Sequence, residues 1–277
     1  MSITMINIFG NNRSVGPPGP RGRNAFDLVR WANIAAVRMY RESELINFYF
    51  NTKTDGIIFD KKQPVGLNNR GTGQNAKFIG KDFPKVLEIK HGFYMLELKH
   101  SIFKIESVRT ATTSPSSVII ALTFKSLSFL KEPRTLFSNE NGTRAIEHRD
   151  KMIKDRRIGI LTIYSSGTKK EIFFDSTDWT ALFIQYTCIK GVVNCDYILN
   201  ERYGSLESGE EDKKEDYGLY IGGHPDKPHP KDAHHAMGSF EMYYADFEDE
   251  NYTLSEEFKA CIIKDILKRV EEEEKDN

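Results

Sequence analysis

The chain has 277 residues, of which 39% are hydrophobic and 12% aromatic, and its formal net charge is −1. This length and composition suit one large β domain with tails, because the 18 Phe and 12 Tyr favour strands over helices. The nearly balanced charge, 39 basic against 40 acidic residues, argues against nucleic acid or an anionic membrane as the main partner.

The first 44 residues are predicted to form an arm ahead of the β domain. Residues 1–10 lack the basic start, long apolar stretch and cleavage site of a signal peptide, so we expect synthesis in the cytoplasm. No segment reaches the roughly 18 to 20 apolar residues of a membrane span, and membrane insertion is not expected. Residues 24–40 have a rough helical period, which predicts a short helix or a strand-like arm containing Trp31.

A proline-rich segment, residues 16–22, reads GPPGPRG and places Gly16, Gly19 and Gly22 at every third position. That spacing is the rule of the collagen triple helix, because only glycine fits at its crowded axis. Two interpretations stay open. The simpler one is a linker in the polyproline II conformation. In the other, the segment helps three chains to align, and Trp31 lies at a trimer contact.

Residues 45–250 are predicted to form a single domain of β-strands joined by turns. Residues 118–124 form a continuous apolar run typical of a central sandwich strand, and residues 139–143 carry a hairpin signal. Strands that recur roughly every 8 to 15 residues favour a sandwich or jelly roll over βαβ units. The predicted strands cover residues 46–50, 57–59, 93–98, 102–105, 118–124, 134–137, 158–164, 170–174, 179–186, 219–221 and 240–244.

Residues 251–277 are predicted to form a C-terminal helix and an acidic tail. Thr253 and Glu256 fit a capping box, in which each side chain satisfies a free backbone N–H group of the first turn. A helix from about residue 254 to residue 272 is predicted by the apolar stripe that follows, which consists of Phe258, Ile262, Ile266, Leu267 and Val270.

The three cysteines, Cys188, Cys195 and Cys261, are too few for a disulfide framework. Cys188 and Cys195 could pair across a tight loop. The favoured interpretation is three separate buried thiols, because free cysteine behaves as a small apolar residue.

Taken in order, several segments resemble the strands of concanavalin A-like jelly rolls, especially of their laminin G-like branch. They are residues 92–103, 117–124, 134–138, 178–186, 219–223 and 237–245. The resemblance implies a mainly β fold: an antiparallel two-sheet jelly-roll sandwich with a short N-terminal arm and one C-terminal α-helix. It also implies that a glycan or protein receptor binds on the concave face or the rim loops, often together with calcium. No metal ligands can be assigned from the sequence.

The layout as a whole, a GPPGP segment ahead of a β domain, also resembles attachment fibre or head proteins of virions. This second resemblance implies a homotrimer that is made in the cytoplasm, incorporated in a virion and used for host attachment.

The candidate ligand-binding residues lie in predicted rim loops. Zinc binding would need imidazoles that converge on one point, and the prolines of the segment exclude helical pairing. The favoured interpretation is a polar, proline-stiffened loop, and its functional form would be a pH-responsive or a glycan-contacting loop. The histidines fall within twelve residues and are His224, His229, His234 and His235. Tyr203 and Tyr217 are further candidates, because aromatic rings stack on sugar faces, although a structural role is the alternative for each.

The predicted function is a non-enzymatic module that recognises a glycan or a cell-surface receptor. One alternative is a structural assembly or shell protein without glycan binding. The other is a glycoside hydrolase, which needs carboxylates held at a fixed separation on a strand. The matching residues, Glu210, Asp212 and Glu215, fall within a charged segment, residues 207–216, that is predicted to be an exposed loop.

The oligomeric state tests the collagen-like interpretation of residues 16–22. If the glycines align three chains, light scattering on the full-length protein should give a trimer at micromolar concentration. Replacing Gly16, Gly19 and Gly22 together with alanine should give monomers, because a Cβ does not fit at the axis. A monomer in the unaltered protein would contradict the prediction.

Overall fold

The protein's structure, a computed structural model, describes residues 46–51, 56–69, 74–90, 93–106, 116–200, 202–210, 218–227, 234–246 and 256–274. These residues form two antiparallel sheets and one helix near the C-terminus. The predicted fold class, a mainly β two-sheet jelly-roll sandwich with a C-terminal helix, is confirmed. The predicted N-terminal arm lies outside the described residues, together with Gly16, Gly19, Gly22 and Trp31.

The strands and the helix follow one another along the chain with short connections. In chain order they are β1 Ile46–Asn51, β2 Ile57–Asp60, β3 Gln63–Leu67, β4 Ala76–Phe78, β5 Lys85–Lys90, β6 Phe93–Leu98, β7 Phe103–Ile105, β8 Ser116–Ser126, β9 Arg134–Asn139, β10 Arg144–Ile153, β11 Arg156–Ser165, β12 Thr168–Phe174, β13 Thr180–Ile189, β14 Val192–Leu199, β15 Arg202–Ser205, β16 Gly209–Glu210, β17 Leu219–Ile221, β18 His235–Asp246 and α1 Glu256–Glu274.

The strands are divided between two sheets, which we call sheet A and sheet B. Sheet A has the order β15-β14-β13-β8-β18-β6-β5, with β1 paired to β18 and β16 paired to β14. Sheet B has the order β12-β11-β10-β9-β17-β7-β4-β3-β2. The chain crosses between the sheets several times, and one crossing leads from β17 in sheet B to β18 in sheet A.

Tight turns join several sequential strands. Type I′ turns, the usual two-residue hairpin turns, require a positive φ at both central residues. Lys154 and Asp155, between β10 and β11, have φ of 47° and 62°. The predicted hairpin at residues 139–143 is confirmed, because it joins β9 to β10 and Gly142 has φ of 73°.

The main core lies between the two sheets and consists of side chains that point inward at every second position. β8 contributes Leu122 and Phe124 from sheet A, while Phe137 and Leu161 come from sheet B. The predicted separate thiols are confirmed for all three cysteines, which are buried and free.

A second apolar cluster lies on the outer face of sheet A, where helix α1 packs. Ile262 and Ile266 of the helix share this cluster with Ala121 of β8 and Phe183 of β13. Trp179, predicted to be a core residue, is also buried in it. The helix therefore covers an apolar face that water would otherwise meet. Among the described helical residues, no helix is long and apolar enough to span a membrane.

Packing of helix α1 is testable with Ile266→Ala. Ile266 is buried against sheet A, so removing its outer carbons should lower the free energy of unfolding by about 2–4 kcal/mol. Urea unfolding followed by circular dichroism measures this change. Lys264→Ala, two residues earlier and half-buried on the opposite side of the same helix, is the matched control and should change stability much less. Equal effects of the two substitutions would contradict the packing.

Candidate functional site

The residues predicted to bind a ligand do not gather in one place, as far as the structure describes them. Tyr217 and His229 lie outside the described residues. Tyr203 lies on β15, at the edge of sheet A, and donates a hydrogen bond to Asp196 at 3.1 Å. Because β15 lies four strands from β18, the two strands are about 19 Å apart at the usual spacing, and Tyr203 is in register with Glu241 rather than with His235.

The prediction that His235 lies in a rim loop is wrong. His235 is the first residue of β18, and only 1% of it is exposed. The inward positions of this strand continue from Met237, which is in the core, to His235 two residues earlier. The period-two pattern that buries Met237 therefore buries the imidazole as well.

The buried imidazole of His235 forms a polar contact between the two sheets. Its Nε2 lies 2.8 Å from Nδ1 of His148, which projects from β10 of sheet B and is also buried. The two rings meet nearly edge to face, with centroids 5.1 Å apart. Burial lowers the pKa of both histidines, so both imidazoles are neutral at pH 7 and one nitrogen donates to the other.

Asp150 continues this contact along β10. Its carboxylate lies 3.3 Å from Nε2 of His148 and accepts hydrogen bonds from Arg157 at 2.7 Å, Ser176 at 2.5 Å and the Leu130 amide at 2.8 Å. Burial opposes ionisation, but these donors outweigh it and hold the pKa of Asp150 well below its usual range. The histidines and Asp150 are inaccessible, so this cross-sheet cluster holds the sandwich together rather than binding a ligand.

His234 lies at the rim beside the cross-sheet cluster. Its Nδ1 is 2.7 Å from Oε1 of Glu97 on β6, and its backbone amide donates to the Ser128 hydroxyl at 3.0 Å. The side chain is only half-buried, in contrast to His235 next to it.

The outer face of sheet B carries polar and aromatic side chains, whereas the outer face of sheet A is apolar where helix α1 packs. On this face the segment after β17, residues 222–227, runs over the sheet. We define the outer-face patch as the connected side chains of Lys104, Glu140, Glu147, Tyr164, Tyr220, His224 and Lys227.

Glu147, Tyr164 and Lys227 form one half of the outer-face patch. The Lys227 ammonium lies 2.6 Å from Oε1 of Glu147, and the Tyr164 hydroxyl donates to Oε2 at 2.9 Å. The same ammonium lies 5.5 Å from the centre of the Tyr164 ring. Burial and the neighbouring carboxylate raise the pKa of Tyr164 to about 12, so the hydroxyl stays protonated and fixes the Glu147 side chain.

Tyr220 and His224 form the other half of the patch. Their rings pack at 74°, with centroids 5.0 Å apart, and His224 Nε2 lies 3.2 Å from the Glu140 carbonyl oxygen. Lys104 reaches Oε1 of Glu140 at 3.4 Å and lies 5.8 Å from the centre of the Tyr220 ring. His224 is thus the candidate from the sequence that the structure joins to other polar and aromatic groups, but only 7% of His224 and 7% of Tyr220 is exposed.

This arrangement supplies the two elements that carbohydrate recognition needs. Carboxylates and ammonium groups exchange hydrogen bonds with hydroxyl groups, and aromatic rings pack against the apolar faces of sugars. The existing contacts restrain these side chains before a ligand arrives, which lowers the entropy lost on binding. Among the patch residues, only His224 was predicted from the sequence. The others were missed because the patch is assembled from separate segments of the chain, which are β7, the β9–β10 turn, β10, β11, β17 and the segment after β17.

The structure gives little support to the other predicted sites. Glu210 of the hydrolase motif is exposed at the end of the two-residue strand β16, and Asp212 and Glu215 lie outside the described residues. Within the described ranges, no group of three or more His, Cys, Asp or Glu side chains could hold a metal ion. Calcium binding stays a prediction.

Two solved structures of similar fold are binding domains of bacterial neurotoxins. The receptor-binding domain of botulinum neurotoxin C/D mosaic serotype is 11% identical, with a TM-score of 0.50 over 80% of this chain and 51% of that one. The botulinum neurotoxin serotype D ligand-binding domain, in complex with N-acetylneuraminic acid, is 13% identical, with a TM-score of 0.51 over 84% of this chain and 52% of that one.

This chain spans about half the length of both structures. At this identity the likeness shows the fold alone, which is that of a β-sandwich. No protein-family model and no curated protein sequence matches the chain.

Stability should fall as the pH decreases from 7 to 5, because His148 and His235 are buried as neutral groups. Below about pH 6.5 the unfolded chain gains protons that the folded protein cannot accept, at up to about 1.4 kcal/mol per pH unit for each histidine. The lowered pKa of Asp150 also stabilises the folded protein, but this stabilisation is lost only when the pH falls below the ordinary aspartate range. It therefore does not contribute to the change between pH 7 and 5. Urea unfolding at several pH values measures the slope.

His235→Gln keeps a hydrogen-bonding side chain but does not titrate. This variant should lose about half of the pH dependence, even if it is less stable at every pH. An unchanged slope would show that His235 is not the buried neutral group that the structure places there.

Proposed function

We propose that this protein is a non-enzymatic binding module that recognises a carbohydrate on a glycan or cell-surface receptor through the outer-face patch. The observation that carries the proposal is the contact of Glu147 with both Lys227 and Tyr164. It brings a carboxylate, an ammonium group and an aromatic ring together on the outer face of sheet B, where 36% of the Lys227 side chain and 13% of the Glu147 side chain are exposed.

The patch suits sugar hydroxyl groups better than a large apolar ligand. Lys227 and Tyr164 are half-buried, so each keeps part of its surface available while the rest is held by neighbours. Vicinal hydroxyl groups can bridge the Glu147 carboxylate and the Lys227 ammonium, and the Tyr164 ring offers a face for stacking. Restrained polar groups of this kind favour specificity over strength, so a single site is expected to bind weakly.

The two similar structures support this proposal only in a general way. They are described as receptor- and ligand-binding domains, and one of them holds N-acetylneuraminic acid. We infer the same broad class of function here, a binding domain rather than an enzyme. The virion attachment role and the homotrimer stay separate proposals that rest on residues 16–22.

A glycan array with the full-length protein displayed in several copies tests the proposal, because avidity makes weak single sites detectable. We expect a coherent family of glycans to bind. Lys227→Ala and Tyr164→Ala should each weaken binding to these glycans at least about tenfold. Each removes a charge-assisted hydrogen bond or a stacking surface worth roughly 1.4 kcal/mol or more.

Tyr203→Ala is the matched control, since Tyr203 is an exposed tyrosine with a carboxylate partner at the edge of sheet A. It should bind as the unaltered protein does. Loss of binding in Tyr203→Ala alone would move the site to sheet A. An array without hits would contradict the carbohydrate proposal and favour a structural assembly or shell protein.

A further inference from the structure

The β10–β11 hairpin projects beyond the strands on either side of it. β9 pairs with β10 only as far as His148, and β12 pairs with β11 only as far as Gly159. The hairpin ladder continues without a register shift to the pair of Ile153 and Arg156. Its last three pairs therefore extend about 10 Å past β12 at the usual rise per residue.

The projecting end of the hairpin carries exposed apolar side chains. Met152 is 52% exposed and Ile153 is 41% exposed, and the two are adjacent at the turn. Successive residues of a strand project to opposite faces, so Met152 and Ile153 make both faces of the projecting end apolar. Single exposed apolar residues are ordinary on protein surfaces, but apolar side chains on both faces of a projecting hairpin end indicate a contact surface.

A neighbouring loop adds to this apolar surface. Leu130 exchanges hydrogen bonds with Asp150: the Asp150 amide donates to the Leu130 carbonyl at 2.6 Å, and the Leu130 amide donates to the Asp150 carboxylate at 2.8 Å. These bonds hold Phe129, which is 45% exposed, and Leu127 at the same end of the sandwich. We call Leu127, Phe129, Met152 and Ile153 together the apolar tip.

The base of the tip is held firmly by the cross-sheet cluster. Arg157 lies on the hairpin, and its Nη2 donates to Asp150 at 2.7 Å, to the Ser126 hydroxyl at 2.6 Å and to the Ser128 carbonyl. The hairpin and the loop are thereby tied to each other and to the end of β8, so the apolar side chains are presented on a fixed support.

Basic side chains surround the apolar tip. Lys131, Lys151, Lys154 and Arg156 are exposed there, against three exposed acidic residues, Glu132, Asp155 and Asp175. The pKa of Asp175 is lowered chiefly by hydrogen bonds from Thr177 and further by the charge of Arg156. Lys131, Lys151 and Lys154 make no ion pair with any residue in the described part of the chain.

We propose that the apolar tip docks on the surface of an anionic lipid membrane. Apolar side chains at the tip enter the boundary between headgroups and acyl chains, while the surrounding lysines approach the lipid phosphates and carboxylates. The nearly balanced net charge argues against attraction of the whole protein to an anionic membrane, but screening over about 8 Å makes the local charges near the contact decide. The docking is peripheral and involves no membrane-spanning segment.

Cosedimentation of the full-length protein with vesicles tests the proposal. Vesicles of phosphatidylcholine alone should bind little, and vesicles that also contain phosphatidylserine should bind the protein in a salt-sensitive manner. The double variant Met152→Ser, Ile153→Ser should reduce this binding at least about tenfold, because the inserted apolar surface is lost. Lys151→Gln with Lys154→Gln should remove most of the dependence on phosphatidylserine.

Phe59→Ser is the matched control. Phe59 is 50% exposed near the β2–β3 turn, close to Lys61 and Lys62 in the chain, and neither of its chain neighbours, Ile58 and Asp60, is an exposed apolar residue. It should leave vesicle binding unchanged, and circular dichroism should show that all variants are folded.

Absence of binding to phosphatidylserine vesicles, or equal binding by the Met152, Ile153 double variant, would overturn the proposal. Light scattering on the same samples separates another outcome. If the unaltered protein self-associates and the double variant does not, the tip contacts a second copy of this chain, and the lipid proposal is wrong. Glycan binding measured in parallel should be unaffected, because the outer-face patch involves other residues.

Discussion

A sheet with apolar side chains on both faces must be covered on both faces, and the rest of this structure depends on that constraint. β8 is buried along nearly its whole length, and so is its neighbour β13. Their inner faces pack against sheet B, and their outer faces pack under helix α1. Since burial of apolar surface is the dominant favourable contribution to folding, the helix is an integral part of the sandwich.

Among the described residues, helix α1 covers the outer face of sheet A, and the outer face of sheet B is the one that we propose for binding. Polar and aromatic side chains project from its strands, and the crossing segment at residues 222–227 adds His224 and Lys227 to them. The same crossing leads the chain to His235, which closes the cross-sheet cluster. One connection therefore contributes to both the outer-face patch and the buried contact that joins the sheets.

The sequence predicted the elements whose patterns are purely apolar, such as the run at residues 118–124 and the helix stripe. It did not predict β10, because the inward positions of that strand are occupied by His148 and Asp150, which hide its alternation. The histidine-rich segment misled the site prediction in a related way. Proximity along the chain suggested one loop, but the segment passes from one sheet to the other and separates His224 from His235. The sequence did not predict that His224 contacts Glu140 or that His235 contacts His148.

The central claim is that ligand binding occurs on the outer face of sheet B. Hydrogen–deuterium exchange of the full-length protein, with and without a saturating glycan from the array, tests it most directly. The account predicts slower exchange in residues 144–149 and 218–227, with helix α1 unchanged. Slower exchange confined to residues 202–210, or none in sheet B, would contradict it and place the site elsewhere on the sandwich.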